Sequence, residues 1–348
     1  GNIYKTDQFR VYAIKQRDLL EEGIEIKQSK NEIFDNKLFG EYVGSKWGGK
    51  YLRAPDIYFT ILKKGKGKLV RLGDIAEISR GFTTGVNEFF YVEDVTDKID
   101  FFQINSKIKN MGDFSNIKEI KEAGLRIAYN KKGDAYWLLE EEFLKPVIKS
   151  PRECKSILIK MEDLKYKVFM CYKPKRELKG TKATEYITWG EKQKYHKRPT
   201  CASRQKWWNL GTQRLAFCSY PMVNNERLIF SMNKGIYNDA NLVGIYPKHD
   251  YGLKLLYSLN STYNMLNMEL MGIANLGEGA IKQNPIYIKR SIVINPENIQ
   301  FNSNQDILKR EIKSIFVELN LDLTQPLREQ QPNPLPDRKA LDDIVFDA

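Results

Sequence analysis

The sequence predicts an α+β fold with a mixed sheet, a core helix and a helical C-terminal tail. Three observations carry that expectation. Short apolar stretches alternate with turns over residues 69–151, and leucines step by three or four over 251–272. A segment with four prolines, 324–336, sets the last stretch apart from the rest. The 348 residues are 42% hydrophobic and 12% aromatic, which gives apolar area enough for a core and excludes a wholly disordered chain.

In chain order, residues 9–15 alternate apolar and polar and suit a half-buried strand. Residues 16–23 suit a short helical turn closed by Gly23. The glycines of 44–49 read as a loop, and the Lys- and Gly-rich run 63–68 as a flexible connector, which places a boundary near residue 65. Residues 173–200 have few consecutive apolar residues and read as loops. Residues 243–246 read as a buried strand. The clearest helix spans 251–272, where Leu253, Leu256, Leu259, Tyr263, Leu266 and Leu270 form one stripe. A second spans 305–319 through Leu308, Ile312, Ile315, Phe316 and Leu319. The prolines of 324–336 read as a linker, and 337–348 as a last helix with Asp337 as N-cap. The expected units are 1–65, 66–300 and 301–348.

Charge narrows the function. The chain carries 56 Lys and Arg against 44 Asp and Glu, a net +12. Residues 151–206 hold 16 basic and 6 acidic residues and so contribute +10, whereas 301–348 hold 6 and 9. Aromatics are interleaved with the basic stretch, from Tyr166 to Tyr195, with Trp207 and Trp208 just beyond. That combination supplies phosphate contacts and flat faces, the footprint of nucleic-acid binding. No run of about 18 apolar residues suggests a membrane span. Four cysteines without a Cys-x-x-Cys pair and two histidines argue against a disulfide scaffold or zinc site, and a reducing cytoplasm is the default expectation. Beginning at Gly1, the chain reads as a piece of a longer protein.

Catalytic signals are sparse. His196 and His249 recommend no nucleophilic triad, the adjacent Glu140, Glu141 and Glu142 read as a solvated face, and the run after Gly65 lacks the residues of a phosphate loop. Asn284-Pro-Ile-Tyr287 approaches the catalytic tetrapeptide of amino-group DNA methyltransferases, but it follows a glycine-rich stretch where an apolar strand belongs, and no upstream glycine-rich cofactor loop accompanies it.

Several stretches in order resemble the region that follows the catalytic domain of restriction–modification adenine-N6 DNA methyltransferases of the Type IIG kind. Residues 71–91, with Arg80-Gly-Phe-Thr-Thr-Gly85 and Asn87-Glu-Phe-Phe-Tyr91, are similar to the opening of a target recognition domain. Lys145-Pro-Val-Ile-Lys-Ser-Pro-Arg152 and residues 198–210 resemble further parts of it. Leu259-Asn-Ser-Thr262, residues 275–282, Asn295-Pro296 and Leu341-Asp-Asp-Ile-Val-Phe-Asp347 resemble its closing parts, and residues 9–20 the exit from the catalytic domain. The resemblance covers nearly the whole chain. It implies sequence-specific recognition of double-stranded DNA, with methyl transfer from S-adenosylmethionine performed by an upstream catalytic domain of the same polypeptide. The fragment itself is then expected to hold no cofactor and to catalyse nothing.

Under that reading the lysines and arginines around 173–197, namely Lys173, Lys175, Arg176 and Lys197, with Arg198 and Lys206, contact phosphates. Arg204 reads guanine, Gln205 or Asn209 reads adenine, and one of Trp207 and Trp208 reaches the DNA. Arg80, Thr83, Thr84 and Asn87 form a polar loop at the duplex, its glycines permitting close approach, and Lys282 joins them. Two alternatives remain open: a self-sufficient methyltransferase using Asn284–Tyr287, and a protein-docking module built on the acidic tail and the 305–319 helix.

Overall fold

Alternation in one hairpin organises the first sheet. In Leu125–Asn130 and Ala135–Glu140, Ile127 faces its cross-strand partner Leu138 on one side, and Ala128 faces Trp137 on the other. Both faces are covered. Ile127 and Leu138 join Phe101, Ile104 and Ile120 in a small core, while Ala128, Trp137 and Leu139 join a larger aromatic one. A computed structural model describes residues 4–6, 9–25, 41–42, 48–274, 279–300 and 306–348. Across this sheet the strands run Tyr237–Asn238, Leu144–Ile148, Lys167–Phe169, Tyr91–Asp94, Leu125–Asn130, Ala135–Glu140. The first pair is parallel and the others antiparallel, so the sheet is mixed and the fold α+β as expected. A second, antiparallel sheet orders Ser231–Met232, Cys218–Pro221, Leu242–Pro247 and Ala76–Arg80.

Two connections pass between the sheets. Residues 81–90 lead from Ala76–Arg80 to Tyr91–Asp94, and residues 239–241 lead from Tyr237–Asn238 to Leu242–Pro247. They meet: Phe82 bridges Asp239, and the Phe82 N–H donates to the Asn238 carbonyl. Gly81 permits this, because a Cβ there would stand 2.3 Å from the carbonyl oxygens of both Asn238 and Asp239.

Where sequence periodicity and structure differ, a tertiary contact explains the difference. The expected helix over 251–272 is two helices, Leu253–Asn260 and Thr262–Met271. Ser261 between them has extended backbone (ψ 152), and its hydroxyl accepts from the Asn264 N–H, so it caps the second helix. The expected helix over 305–319 is replaced by Asp306–Lys309 and Ile315–Glu318, its first expected residue lying outside the described ones. Residues between them pair with 155–158 instead: Glu311 bridges Ser156, and the Ile312 N–H donates to the Lys155 carbonyl. Residues 173–200, expected as loops, contain the helix Lys182–Lys192, capped by Thr181. Residues 44–49, expected as a loop, lie mostly outside the described residues. The last helix is Pro336–Asp347. Pro336 takes its first position, and Asp337, one residue inside, accepts from Arg310 rather than serving as N-cap.

The main core crosses both expected unit boundaries. Ala54 and Tyr58 share it with Leu256, Tyr263, Ile307, Leu341 and Val345. Polar contacts fasten the tail as well. Arg338, with no exposed surface, donates to Glu318 and, at 2.6 Å, to the Asn260 carbonyl. Glu318, 1% exposed, also accepts two 2.8 Å bonds from Arg310. The Asp342 carboxylate accepts from the Thr262 N–H and hydroxyl, at the start of Thr262–Met271. Removing one member of a buried ion network leaves an uncompensated charge, so Glu318→Ala should destabilise the protein by about 3–5 kcal/mol in urea unfolding at neutral pH. A loss below about 1 kcal/mol, the range of exposed pairs, would show that the network does not hold the tail.

Candidate nucleic-acid interface

The meeting of the two inter-sheet connections leaves a polar cleft of about 340 Å³, lined by Thr83, Thr84, Gly85, Asn87, Glu88, Arg198, Asp239, Ala240 and Asn241. Its walls are built locally. Gly85 has φ +79, in the left-handed region, and turns the chain beside Thr200. The Thr84 hydroxyl donates to the Asn87 side-chain oxygen. Across the cleft, the Asp239 carboxylate accepts from the Asn241 N–H (2.9 Å), the Asn241 side-chain amide (2.7 Å) and the Tyr91 hydroxyl. The turn is therefore fixed from both ends of one side chain.

The third wall comes from 194–208. Arg198 grips Glu88 with two parallel 3.0 Å bonds. Lys132 also reaches Glu88, at 2.5 Å. Partial burial opposes the charged Glu88 carboxylate, but the bonds from Arg198 and Lys132 outweigh it and hold its pKa at about 2. Arg204 donates to the Thr83 carbonyl at 2.6 Å and to the Thr84 carbonyl at 2.9 Å, with its guanidinium over the Phe90 ring. These two arginines hold residues 83–88 against 194–208. Beneath them lies the aromatic core. Phe89 stacks on Tyr186, whose hydroxyl donates to the Phe89 carbonyl, and Trp207 lies 4.6 Å from the Phe89 ring.

Of the residues expected at DNA, the structure brings Thr83, Thr84, Asn87 and Arg198 together in the cleft, with Arg80 at its rim through a bond from Nε to the Ala240 carbonyl. Lys197 and Gln205 are exposed. Lys173 and Lys175 are exposed but pair with Glu142 (2.9 Å) and Glu191 (2.7 Å), and Arg176, its side chain 86% exposed, lies 3.8 Å from Glu177. Lys206 donates to the Tyr172 carbonyl, and the Asn209 side-chain oxygen accepts from the Gly211 N–H. Trp207 and Trp208 are each only 7% exposed, which corrects the expectation that one of them faces outward: both belong to the aromatic core. Lys282 sits on a separate ladder with Val223 and Ile273 and does not line the cleft. Asn284 precedes the six-residue helix Pro285–Arg290, so the methyltransferase-like tetrapeptide is a helix start.

Sequence reasoning named Lys197 but missed Glu88, Asp239, Asn241 and two exposed lysines beside it, Lys192 and Lys194. Glu88 lies inside the 71–91 stretch, but its partner Arg198 is 110 residues away. Asn238-Asp-Ala-Asn241 carries a turn signal that was available. Lys192, Lys194 and Lys197 follow one another around the end of Lys182–Lys192, exposed and without an ion-pair partner among the described residues.

No protein-family model matches the chain, and no curated protein does. Among solved structures it is similar to the crystal structure of the type IIG restriction endonuclease BpuSI, with a TM-score of 0.44 and 13% identity. The likeness covers 88% of this chain and 34% of that one, so this chain spans about a third of that protein's length. Among the described residues, no helix is long and apolar enough to cross a membrane, and no cluster of His, Cys, Asp and Glu suits a metal ion.

The Arg198–Glu88 clamp has a pH signature. A folded-state pKa depressed from 4.5 to about 2 stabilises the fold fully above about pH 5, and that stabilisation disappears as pH falls through 2. Glu88→Gln should therefore lower stability at pH 7 by roughly 2–3 kcal/mol, with the gap to the parent closing on acidification. Urea unfolding across pH 2–7 checks this, and a gap that does not change with pH would contradict the clamp.

Proposed function

We propose that this chain is a recognition module for double-stranded DNA, belonging to a restriction–modification adenine-N6 methyltransferase whose catalytic domain lies upstream in the same polypeptide. The observation that carries this reading is the adjacency of a basic surface to the polar cleft. Lys192, Lys194 and Lys197 lead directly into Arg198, which is itself a wall of the cleft. Lysines without internal partners are free to replace counterions along a phosphate backbone, while the cleft offers neutral hydrogen-bonding groups for base edges.

The ion pairs of Lys173 and Lys175 do not oppose this role. Exposed pairs contribute about 0–1 kcal/mol, so a phosphate competes with their carboxylates at little cost. The resemblance of residues 71–91, 145–152 and 198–210 to a target recognition domain supports the same reading, because two of these stretches supply walls of the cleft. S-adenosylmethionine belongs, in this reading, to the upstream domain. Here the methyltransferase-like tetrapeptide starts a short helix beside the second sheet and is assigned no step.

Mobility-shift titrations at two salt concentrations test the proposal. The chain should bind duplex DNA with an affinity that falls steeply with salt, and changing Lys192, Lys194 and Lys197 together to Ala should reduce the slope by roughly one unit per lysine. Absence of duplex binding at low salt would overturn it.

A further inference from the structure

We propose that Arg80 is the side chain that reads a guanine, and that Arg204 is a positioning residue that shapes the loop beside it. This rests on the DNA-recognition reading above and deepens it. A guanidinium recognises guanine when two parallel N–H groups are free to meet O6 and N7 in the major groove. Four arginines flank this face, and their hydrogen bonds distinguish them. Arg204 directs both terminal nitrogens inward, onto the Thr83 and Thr84 carbonyls. Arg198 has both on Glu88. Arg214 pairs with Glu77 at 2.5 Å and lies over the Tyr246 ring. Arg80 is exposed and donates through Nε alone, to the Ala240 carbonyl, with no ion-pair partner among the described residues.

That bond does more than leave the two terminal nitrogens free. Anchoring the planar group at Nε fixes the plane in which the outer nitrogens lie, so less side-chain freedom is lost when a base docks. The anchor is itself held. Ala240 sits in the 239–241 turn, where the Asp239 carboxylate accepts from Asn241 and Tyr91 and the Asp239 N–H donates to the Ile148 carbonyl. At the other end, Arg80 closes an edge strand of the second sheet, in register with Val243. The nearby carboxylates are already engaged, Asp239 as described and Glu88 by Arg198 and Lys132, and so do not compete for the fork.

The test is selection of binding sites from a pool of duplexes with a randomised centre, using the full chain, Arg80→Lys and Arg204→Lys. Arg80→Lys keeps the charge and loses the fork. The expected result is a parent consensus containing a guanine, at which Arg80→Lys alone loses preference by roughly 10- to 100-fold. Its melting temperature should stay at the parent value, and the loss of preference should be confined to that guanine position. Arg204→Lys should lower the melting temperature and weaken every position together. If Arg80→Lys selects the same consensus as the parent, the assignment of Arg80 is overturned while DNA recognition stands. If the parent selects nothing and binds no duplex, both fall together.

Discussion

The loop over residues 81–88 depends on arginines that come from more than a hundred residues away. Beyond Phe82 its backbone joins neither sheet, so the Thr83 and Thr84 carbonyls need donors from elsewhere. Arg204 supplies both, burial pulling its pKa below the ordinary arginine value, and Arg198 adds the paired bonds to Glu88. Without this clamp the cleft would have two walls instead of three. The aromatic core makes the clamp rigid. Gly190 leaves room for Trp207, since a Cβ there would stand 2.6 Å from the indole, and the Trp207 N–H donates to Glu191.

Basic residues on this face consequently divide into two kinds. Arg198, Arg204 and Arg214 make directed bonds within the protein, as suits a planar group with a fixed fork. The lysines of 192–197 make none with carboxylates and carry mobile charge on an exposed turn. The excess of positive charge in 151–206 is thus partly structural, and Lys192, Lys194 and Lys197 are the part of the remainder that adjoins the cleft in sequence. Arg80 stands between these kinds, anchored by one nitrogen and open at two.

Much of the architecture was legible in the sequence. The apolar run of 243–246 lies within the strand Leu242–Pro247, Gln16–Gly23 is a helix, and of the proline-rich 324–336 only the one-turn Leu327–Glu329 and the helix start at Pro336 are regular. The break at Ser261 was not legible, because the leucine stripe continues through it. What decides the break is a cap, reinforced by Asp342 from the far end of the chain. That contact joins two stretches, 259–262 and 341–347, which in sequence are only separate resemblances. Likewise Leu308 and Ile312 have helical spacing, yet pairing with 155–158 overrides it. At the site, the glycines of 81–85 were read as room for a duplex, whereas Gly81 makes room for the chain's own Asn238 and Asp239 carbonyls. The inward use of Arg204 and of both tryptophans was invisible, since a forked donor or an indole looks alike in sequence whether its partner is a base or a distant segment of the same chain.

The proposed DNA-facing surface is the clamped cleft together with the lysine turn beside it. Lysine acetylation footprinting of the full chain, read by mass spectrometry with and without duplex at low salt, tests it most directly. Duplex should shield Lys192, Lys194 and Lys197 strongly and leave Lys118 and Lys339, exposed on other helices, as reactive as in the free protein. Equal reactivity at 192–197 in the two samples, or protection spread evenly over all exposed lysines, would contradict it.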